Sequence, residues 1–321
     1  MGRVWVLPRA PLSRIRAAGL EMLIVDVTPE FYEVPYISSY ILADRARGEA
    51  LVVDPGPARP GCEKLAEVLD TLGSRKVTIY VTHVHIDHAG SVGCLAERLS
   101  DRLVRVYAHP RAVPHLADPS KLWKAARSFL GWIAEGYGEP TPTPRELVEA
   151  TSNGETHDYG WVRVEVLHTP GHASHHQSLL VSPAEDRSRV LFPGDSAGMT
   201  HPAVDAVAPT TPPPFRLELY VESLRRQIRA SPSLVAYTHV GPGEPSLLER
   251  HLRQVERWAA VAASLSEAGD PPEPRRFLDA VAQVDEDTRR FLEFAEAKSR
   301  ALLEALLHSA MGFIDYIARR D

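Results

Sequence analysis

Cysteine, lysine and long apolar runs are what this chain has least of. Its 321 residues include two cysteines, Cys62 and Cys94, too few for a disulfide framework. Both read as small buried thiols, which makes the reducing cytoplasm the expected compartment. No apolar run approaches the ~20 residues that a membrane-spanning helix needs. No N-terminal stretch combines a basic start, an apolar segment and a small-residue cleavage site, so the expectation is a soluble protein with no membrane partner. Excess positive charge is missing too: 36 Lys and Arg stand against 42 Asp and Glu, a net charge of −6. Nucleic acids and anionic membranes usually recruit a basic face, so neither is expected as a partner. Lysine is confined to Lys64, Lys76, Lys121, Lys124 and Lys298, leaving arginine to carry most of the positive charge. A phosphate-binding Gly-rich loop is also absent.

What is present is a chain with enough apolar residues, 44%, to bury a full core. Short β-rich runs at 22–27, 36–43 and 50–54 are each bounded by turn residues. Residues 62–72 place Leu65, Val68, Leu69 and Leu72 at helical spacing. A strand over 77–82, a helix over 91–99 and a strand over 103–108 follow. Further strands are predicted at 162–167, 177–181, 190–192 and 234–237, an alternation that indicates an α/β fold. Residues 131–144 and 199–215 are dense in Gly and Pro and are predicted to be surface loops. Beyond residue 245 the chain reads as two long amphipathic helices, 247–265 and 288–317, separated by a break at 269–274. The predicted organisation is therefore a catalytic domain over 1–245 and a helical extension over 246–321 packed on it. Leu292, Ala295, Leu302, Ala305, Leu306 and Ile314 give that extension an apolar side, for docking on the body or on a second copy in a homodimer.

The chemistry concentrates at Thr82-His83-Val84-His85-Ile86-Asp87-His88. Three imidazoles and a carboxylate on one loop pack poorly but suit a metal, which imidazole nitrogen and carboxylate oxygen bind at ~2.0–2.2 Å. His83 and His85 lie two apart, so an extended backbone turns both to one side. Asp87 and His88 come after the turn and can face a second ion. Downstream, Thr169-Pro170-Gly171-His172, Phe192-Pro193-Gly194-Asp195 and Thr238-His239 each end a predicted strand, where α/β sheets gather their functional loops. Together these residues make the inventory of a binuclear site.

In these motifs the sequence resembles the metallo-β-lactamase superfamily, all five of whose metal-site motifs occur here in the family's order. Asp54, in Val53-Asp54-Pro55-Gly56, corresponds to the first; His83, His85, Asp87 and His88 form the second; His172, Asp195 and His239 are the third, fourth and fifth. The resemblance implies a four-layer αββα sandwich binding two divalent metal ions. Zinc is the first choice, although the same ligands serve iron or manganese. It further implies one ion at His83, His85 and His172, a second at Asp87, His88 and His239, Asp195 bridging, and Asp54 orienting a ligand histidine from behind. The implied reaction is hydrolysis by a metal-bound hydroxide, with no serine or cysteine nucleophile, and with Asp87 able to pass a proton to the leaving group.

The superfamily spans several substrates. The segment TPGHASHHQSL from Thr169 to Leu179 is similar to glyoxalase II-like thioesterases and to acyl-homoserine lactonases, pointing to a small thioester, ester or lactone. A phosphodiesterase or nuclease, and a mononuclear-iron persulfide dioxygenase, remain as alternatives sharing much of the ligand set. His175 stands where those families generally place a glycine; it either reaches the pocket as an extra polar group or is a structural residue. His176 matches a histidine they often carry and reads as structural. Residues 199–215 are the expected pocket wall, with Met199, Phe215 and Tyr220 as apolar candidates. Trp123, Phe129 and Trp132 could cap the same pocket.

Overall fold

The computed structural model describes residues 12–17, 20–185, 188–267 and 272–319, so the N-terminal eleven residues and the first half of the expected break at 269–274 lie outside the described residues. Seven strands lie in chain order across one sheet: β1 (Leu12–Ala17), β2 (Leu20–Asp26), β3 (Ser38–Asp44), β4 (Glu49–Val53), β5 (Lys76–Tyr80), β6 (Leu103–Ala108) and β7 (Val148–Ala150). The first four pair antiparallel, and β4 to β7 run parallel. A second sheet is built from β8 (Thr156–Asp158), β9 (Val162–His168), β10 (Gln177–Pro183) and β11 (Val190–Phe192). A small hairpin of β12 (Met199–His201) and β13 (Ala206–Ala208) follows. Then β14 (Leu234–Tyr237) and β15 (Gly241–Gly243) complete the second sheet, in the order β15-β14-β11-β10-β9-β8.

Period-two alternation fixes how the sheets stack. On β2 to β5 the residues Met22, Ile24, Tyr40, Leu42, Leu51, Val53 and Tyr80 face Val164, Val166, Leu179, Val181, Val190 and Phe192 of the second sheet. The alternate residues Leu23, Val25, Ile41, Val52 and Ile79 turn outward to a second core. There α1 (Ala58–Thr71), α2 (Ile86–Ala89) and α3 (Val92–Arg98) cover the first sheet, giving the expected α/β class with mixed sheets between helices.

Cys62 on α1 and Cys94 on α3 form a disulfide, not the pair of thiols expected. Helical spacing turns both toward the α1–α3 interface, where their Cα atoms are 6.1 Å apart, within disulfide reach. The thiol argument for a reducing compartment therefore falls. Residues 131–144 also depart from a plain loop. After α4 (Val113–Ala117) and α5 (Ser120–Leu130), Gly131 turns the chain into α6 (Trp132–Tyr137), whose Ile133, Ala134 and Tyr137 are buried.

The stretch 199–215 is not a surface loop. Apart from the exposed hairpin turn at Ala203 and Asp205, the stretch from Met199 to Thr211 packs beneath C-terminal helices, because α7 (Leu217–Arg229) leads back to β14 and the chain then crosses the hairpin. Those helices number four among the described residues: α8 (Ser246–Glu267), α9 (Pro274–Ala282), α10 (Glu286–Lys298) and α11 (Arg300–Ala318). The predicted helix over 288–317 is broken at Ser299, an extended N-cap whose hydroxyl accepts the Leu302 N–H. Trp258, Phe277, Phe291, Leu302 and Phe313 join the same core as the first sheet's outer face. By length and composition α11 could cross a membrane, contrary to the sequence reading, yet 44% of its apolar window is buried inside the protein. Gly312 shows how closely it docks: a Cβ there would lie 1.6 Å from the Thr211 carbonyl oxygen.

Candidate metal centre

The predicted ligands converge because each follows the C-terminal end of a strand, and the two sheets bring those ends to one edge. Asp54 follows β4, Thr82 and His83 follow β5, His172 follows β9, Asp195 follows β11 and His239 follows β14. An isolated bridge between Ile37 and His239, with Ser38 N–H donating to the Thr238 carbonyl at 2.7 Å, ties the two sheets together there. His85 caps the single-turn helix α2, which sets Asp87 and His88 side by side.

Three groups of ligand atoms result: His83, His85 and His172; His83, His88 and Asp195; and Asp87, His88 and His239. In the first, His83 Nε2, His85 Nδ1 and His172 Nε2 are 2.9–3.2 Å from one another. Two nitrogens sharing a tetrahedral cation at ~2.0–2.1 Å would be about 3.3 Å apart, so this triad matches that spacing. In the third, His239 Nε2 lies 3.5 Å from Asp87 Oδ2, and 3.4 Å from Asp195 Oδ1. Asp195 stands between the groups, its other oxygen 3.6 Å from His172 Nε2. Buried His88 Nε2 and Asp195 Oδ1 have no hydrogen-bond partner among the described residues, as a cation held there would explain.

Hydrogen bonds behind the ligands choose which ring nitrogen faces the site. His88 Nδ1–H donates to Asp54 Oδ2 at 2.8 Å and His172 Nδ1–H to the Thr210 carbonyl at 2.6 Å, leaving each Nε2 free. Asp54 is fully buried and also accepts from the Thr82 N–H and from the Thr82 and Thr238 hydroxyls. Its backbone sits in the left-handed region, at φ 48°. Asp195 N–H donates to His176 Nε2 at 3.0 Å, and His176 in turn bonds Thr169 Oγ1, so His176 is a buried positioning residue.

Electrostatics favour a cation here. Burial, and then the neighbouring imidazoles, push the pKa values of His83 and His85 well below the ordinary range, so both are neutral donors. Burial opposes charge on His88, yet Asp195, Asp87 and Asp54 outweigh it and raise its pKa well above the usual value. For Asp195 burial raises the pKa, but His88, His239 and His172 more than reverse that, holding it ionised. The carboxylates thus demand positive charge, and the donor set fits divalent ions.

Over this floor opens a cavity of about 300 Å³. Tyr32, Tyr36 and Tyr137 form one side, with Tyr36 stacked on His239 at 4.3 Å and the Tyr32 and Tyr137 oxygens 2.5 Å apart. Leu122, Phe129, Leu130 and Ile133 come from α5 and α6, and Ala305, His308 and Ser309 from α11. None of these but Phe129 was anticipated; nothing local in the sequence marks them, since they meet only when α11 docks.

The expected pocket residues Met199, Phe215 and His175 do not line this cavity. Met199 starts the buried hairpin strand and faces the core, and Phe215 packs against Tyr220, Phe313 and Tyr316 once α11 covers it. The same segment does reach the pocket through Thr210 and Pro212–214. His175 lies half-buried behind His85, ring centroids 5.6 Å apart, with burial lowering its pKa to about 3. Tyr220 is structural: its hydroxyl donates to the Asp195 carbonyl at 3.2 Å and lies 2.8 Å from His251 Nε2. Trp123 is core, and Trp132 packs edge-on against Phe31 outside the cavity.

The sequence was expected to hold no Gly-x-Ser-x-Gly elbow, but Gly194-Asp195-Ser196-Ala197-Gly198 has that spacing. Ser196 is fully buried, however, and its hydroxyl donates to the Pro193 carbonyl at 2.8 Å and accepts from Gln227. Among the described residues no histidine bonds it, and it does not line the cavity.

The sequence model described as the metallo-β-lactamase superfamily matches residues 33–239. A metallo-β-lactamase fold-containing protein of Sulfurisphaera tokodaii is 37% identical over 182 residues, 55% of this chain and 65% of the relative. The chain thus spans just under two thirds of that relative's length. A hydroxyacylglutathione hydrolase of Synechococcus is 32% identical over 157 residues, 49% of this chain and 47% of that one. The crystal structure of an archaeal metallo-β-lactamase superfamily protein from Sulfolobus tokodaii superposes with a TM-score of 0.58 at 29% identity, covering 73% of this chain and 85% of that chain. With the family's sequence model spanning well over half the chain and its motif residues gathered at one edge of the paired sheets, this protein belongs to the metallo-β-lactamase superfamily.

Proposed function

We propose that this chain is a metal-dependent hydrolase whose two-cation centre acts on a small carbonyl substrate, a thioester, ester or lactone. The carrying observation is the convergence of seven side chains, four of them from one short loop, five of which reach the floor of a cavity with largely apolar walls. His83, His85 and His172 would hold one ion, Asp87, His88 and His239 the other, with Asp195 between them. The distinct second group supports a pair of ions over the single iron of a dioxygenase. Zinc suits these nitrogen and carboxylate donors, as do iron and manganese.

When bound, two such ions supply hydroxide at neutral pH and polarise a carbonyl oxygen. The protein's part is placement and proton handling. Asp87, on the cavity side and partly exposed, is positioned to accept a proton from the attacking water and to return it to the leaving group. Tyr32, Tyr36 and Tyr137 exclude water from that side, and burial keeps all three phenols protonated. The likeness to a hydroxyacylglutathione hydrolase supports a carbonyl substrate. So does the cavity, where no lysine or arginine among the described lining residues awaits a phosphodiester.

The test compares metal-loaded protein on an S-acyl thioester, a homoserine lactone and an activated phosphodiester, with and without chelator. Chelator-sensitive turnover of a carbonyl substrate is expected. Turnover of the phosphodiester alone would overturn the reading, as would activity indifferent to chelator.

A further inference from the structure

We propose that the cavity takes an uncharged, medium-length acyl chain, its carbonyl at the histidine floor and its tail running out between α5 and α11. This deepens the hydrolase reading and rests on it for the position of the carbonyl.

Polarity changes along the cavity. Its floor is ligand atoms, with His172 and Asp195 almost fully buried. Above them the walls turn apolar: Leu122, Leu130, Ile133, Ala305 and the proline run 212–214. Phe129, 36% exposed, stands at the mouth with its ring 4.6 Å from that of His308. Among the described lining residues the only carboxylates are those of Asp87 and Asp195, both on the floor, and no lysine, arginine or glutamate is present. His308 does not supply the missing cation, since burial lowers its pKa. A substrate carrying carboxylates or phosphates along its length, as a glutathione thioester does, would exchange their hydration for a wall whose polar groups are tyrosine, threonine and serine hydroxyls and one imidazole, with no lysine or arginine among the described lining residues to pair them.

Size sets the chain length. About 300 Å³ holds roughly ten groups of water size at ~30 Å³ each, and the reacting carbonyl with its nucleophile takes some of that. What remains fits an acyl chain of roughly six to eight carbons. The outer wall is rigid, because α11 is pinned to the 209–211 segment. Ser309 Oγ donates to the Pro209 carbonyl at 2.7 Å and Thr211 Oγ1 to the Ser309 carbonyl at 3.1 Å. A fixed wall sets the course of the tail, and carbons beyond the mouth at Phe129 lie in solvent and add nothing, so α11, outside the matched family region, is the specificity element.

The experiment has a binding arm and a kinetic arm. In the first, calorimetry measures the affinity of metal-free protein for straight-chain amides from butanamide to dodecanamide. Affinity should rise about fourfold per methylene and then level off near the octanamide. In the second, zinc-loaded protein is assayed on p-nitrophenyl acyl esters, and on an octanoyl thioester of N-acetylcysteamine against that of glutathione. The same length dependence is expected, with the uncharged thioester preferred at least tenfold. Ala305→Trp, which fills the outer wall, should move both optima to shorter chains. Phe129→Ala, at the exposed mouth, should weaken only the longest ligands, and serves if the tryptophan variant fails to fold. Affinity independent of chain length, or preference for the glutathione thioester, overturns the inference even when hydrolysis is seen. Length-dependent amide binding without any ester turnover would instead uphold the cavity's preference and overturn the hydrolase reading.

Discussion

Replacing Asp54 by asparagine should weaken one metal position and spare the other. Asparagine nearly matches aspartate in size and tolerates the left-handed backbone at φ 48°, so the change isolates the carboxylate's bonding. The Thr82 N–H, 2.7 Å from Oδ1, can only donate, so the amide oxygen must stay there and the amide nitrogen must take the place of Oδ2. The Thr82 and Thr238 hydroxyls at that corner can rotate to accept. His88 Nδ1, 2.8 Å away, cannot keep its proton facing an NH2 group; it must accept, which moves the proton to Nε2, the atom aimed at the metal. Loss of such an orienting partner typically costs about 10- to 100-fold in metal affinity, or about 1.4–2.7 kcal/mol. Titration of metal-free protein with cobalt(II), followed by its visible absorption, should show one equivalent binding as in the parent and the second weakened by that factor. Two equivalents of unchanged affinity would refute the tautomer argument.

Other perturbations probe the frame around the centre. Asp87→Asn should lower kcat by about 100-fold or more while the metal at His83, His85 and His172 is retained, as metal analysis beside kinetics would show. Removing the disulfide by Cys62→Ser with Cys94→Ser opens a link spanning 32 residues and should cost about 2–4 kcal/mol in denaturant unfolding. Gly312→Ala drives a methyl group into the Thr211 carbonyl oxygen and should destabilise by about 1–3 kcal/mol, lowering Tm. Burial holds the pKa of His251 down at about 4 against 6.5 for the free side chain. The unfolded chain therefore binds the extra proton, and stability should decline as pH falls from 6.5 toward 4, by up to about 3 kcal/mol. His251→Gln should flatten that limb of a stability-against-pH profile.

The metal centre was legible because its determinants are local. Each ligand follows a strand whose apolar period is readable, and the His83-to-His88 run carries four of the seven in one turn. The cavity was not legible because its walls are long-range: Thr211 and Ser309 are 98 residues apart and meet only when α11 docks. The same docking turned Met199 and Phe215 from expected pocket lining into core. Cys62 and Cys94 looked like isolated thiols because the contact between α1 and α3 leaves no trace in either helix's own pattern. Other boundaries do carry a local signal. Ser299 is a favoured N-cap residue, and reading it so would have split the long C-terminal helix correctly. Asp285, whose side chain accepts the Thr288 N–H, marks the start of α10 in the same way.

Diffraction from metal-loaded crystals at the metal's absorption edge tests the two-cation centre most directly. Two anomalous peaks are predicted, one among His83, His85 and His172, the other among Asp87, His88 and His239, both in contact with Asp195. A single peak, or metal bound elsewhere on the chain, would contradict the two-cation centre.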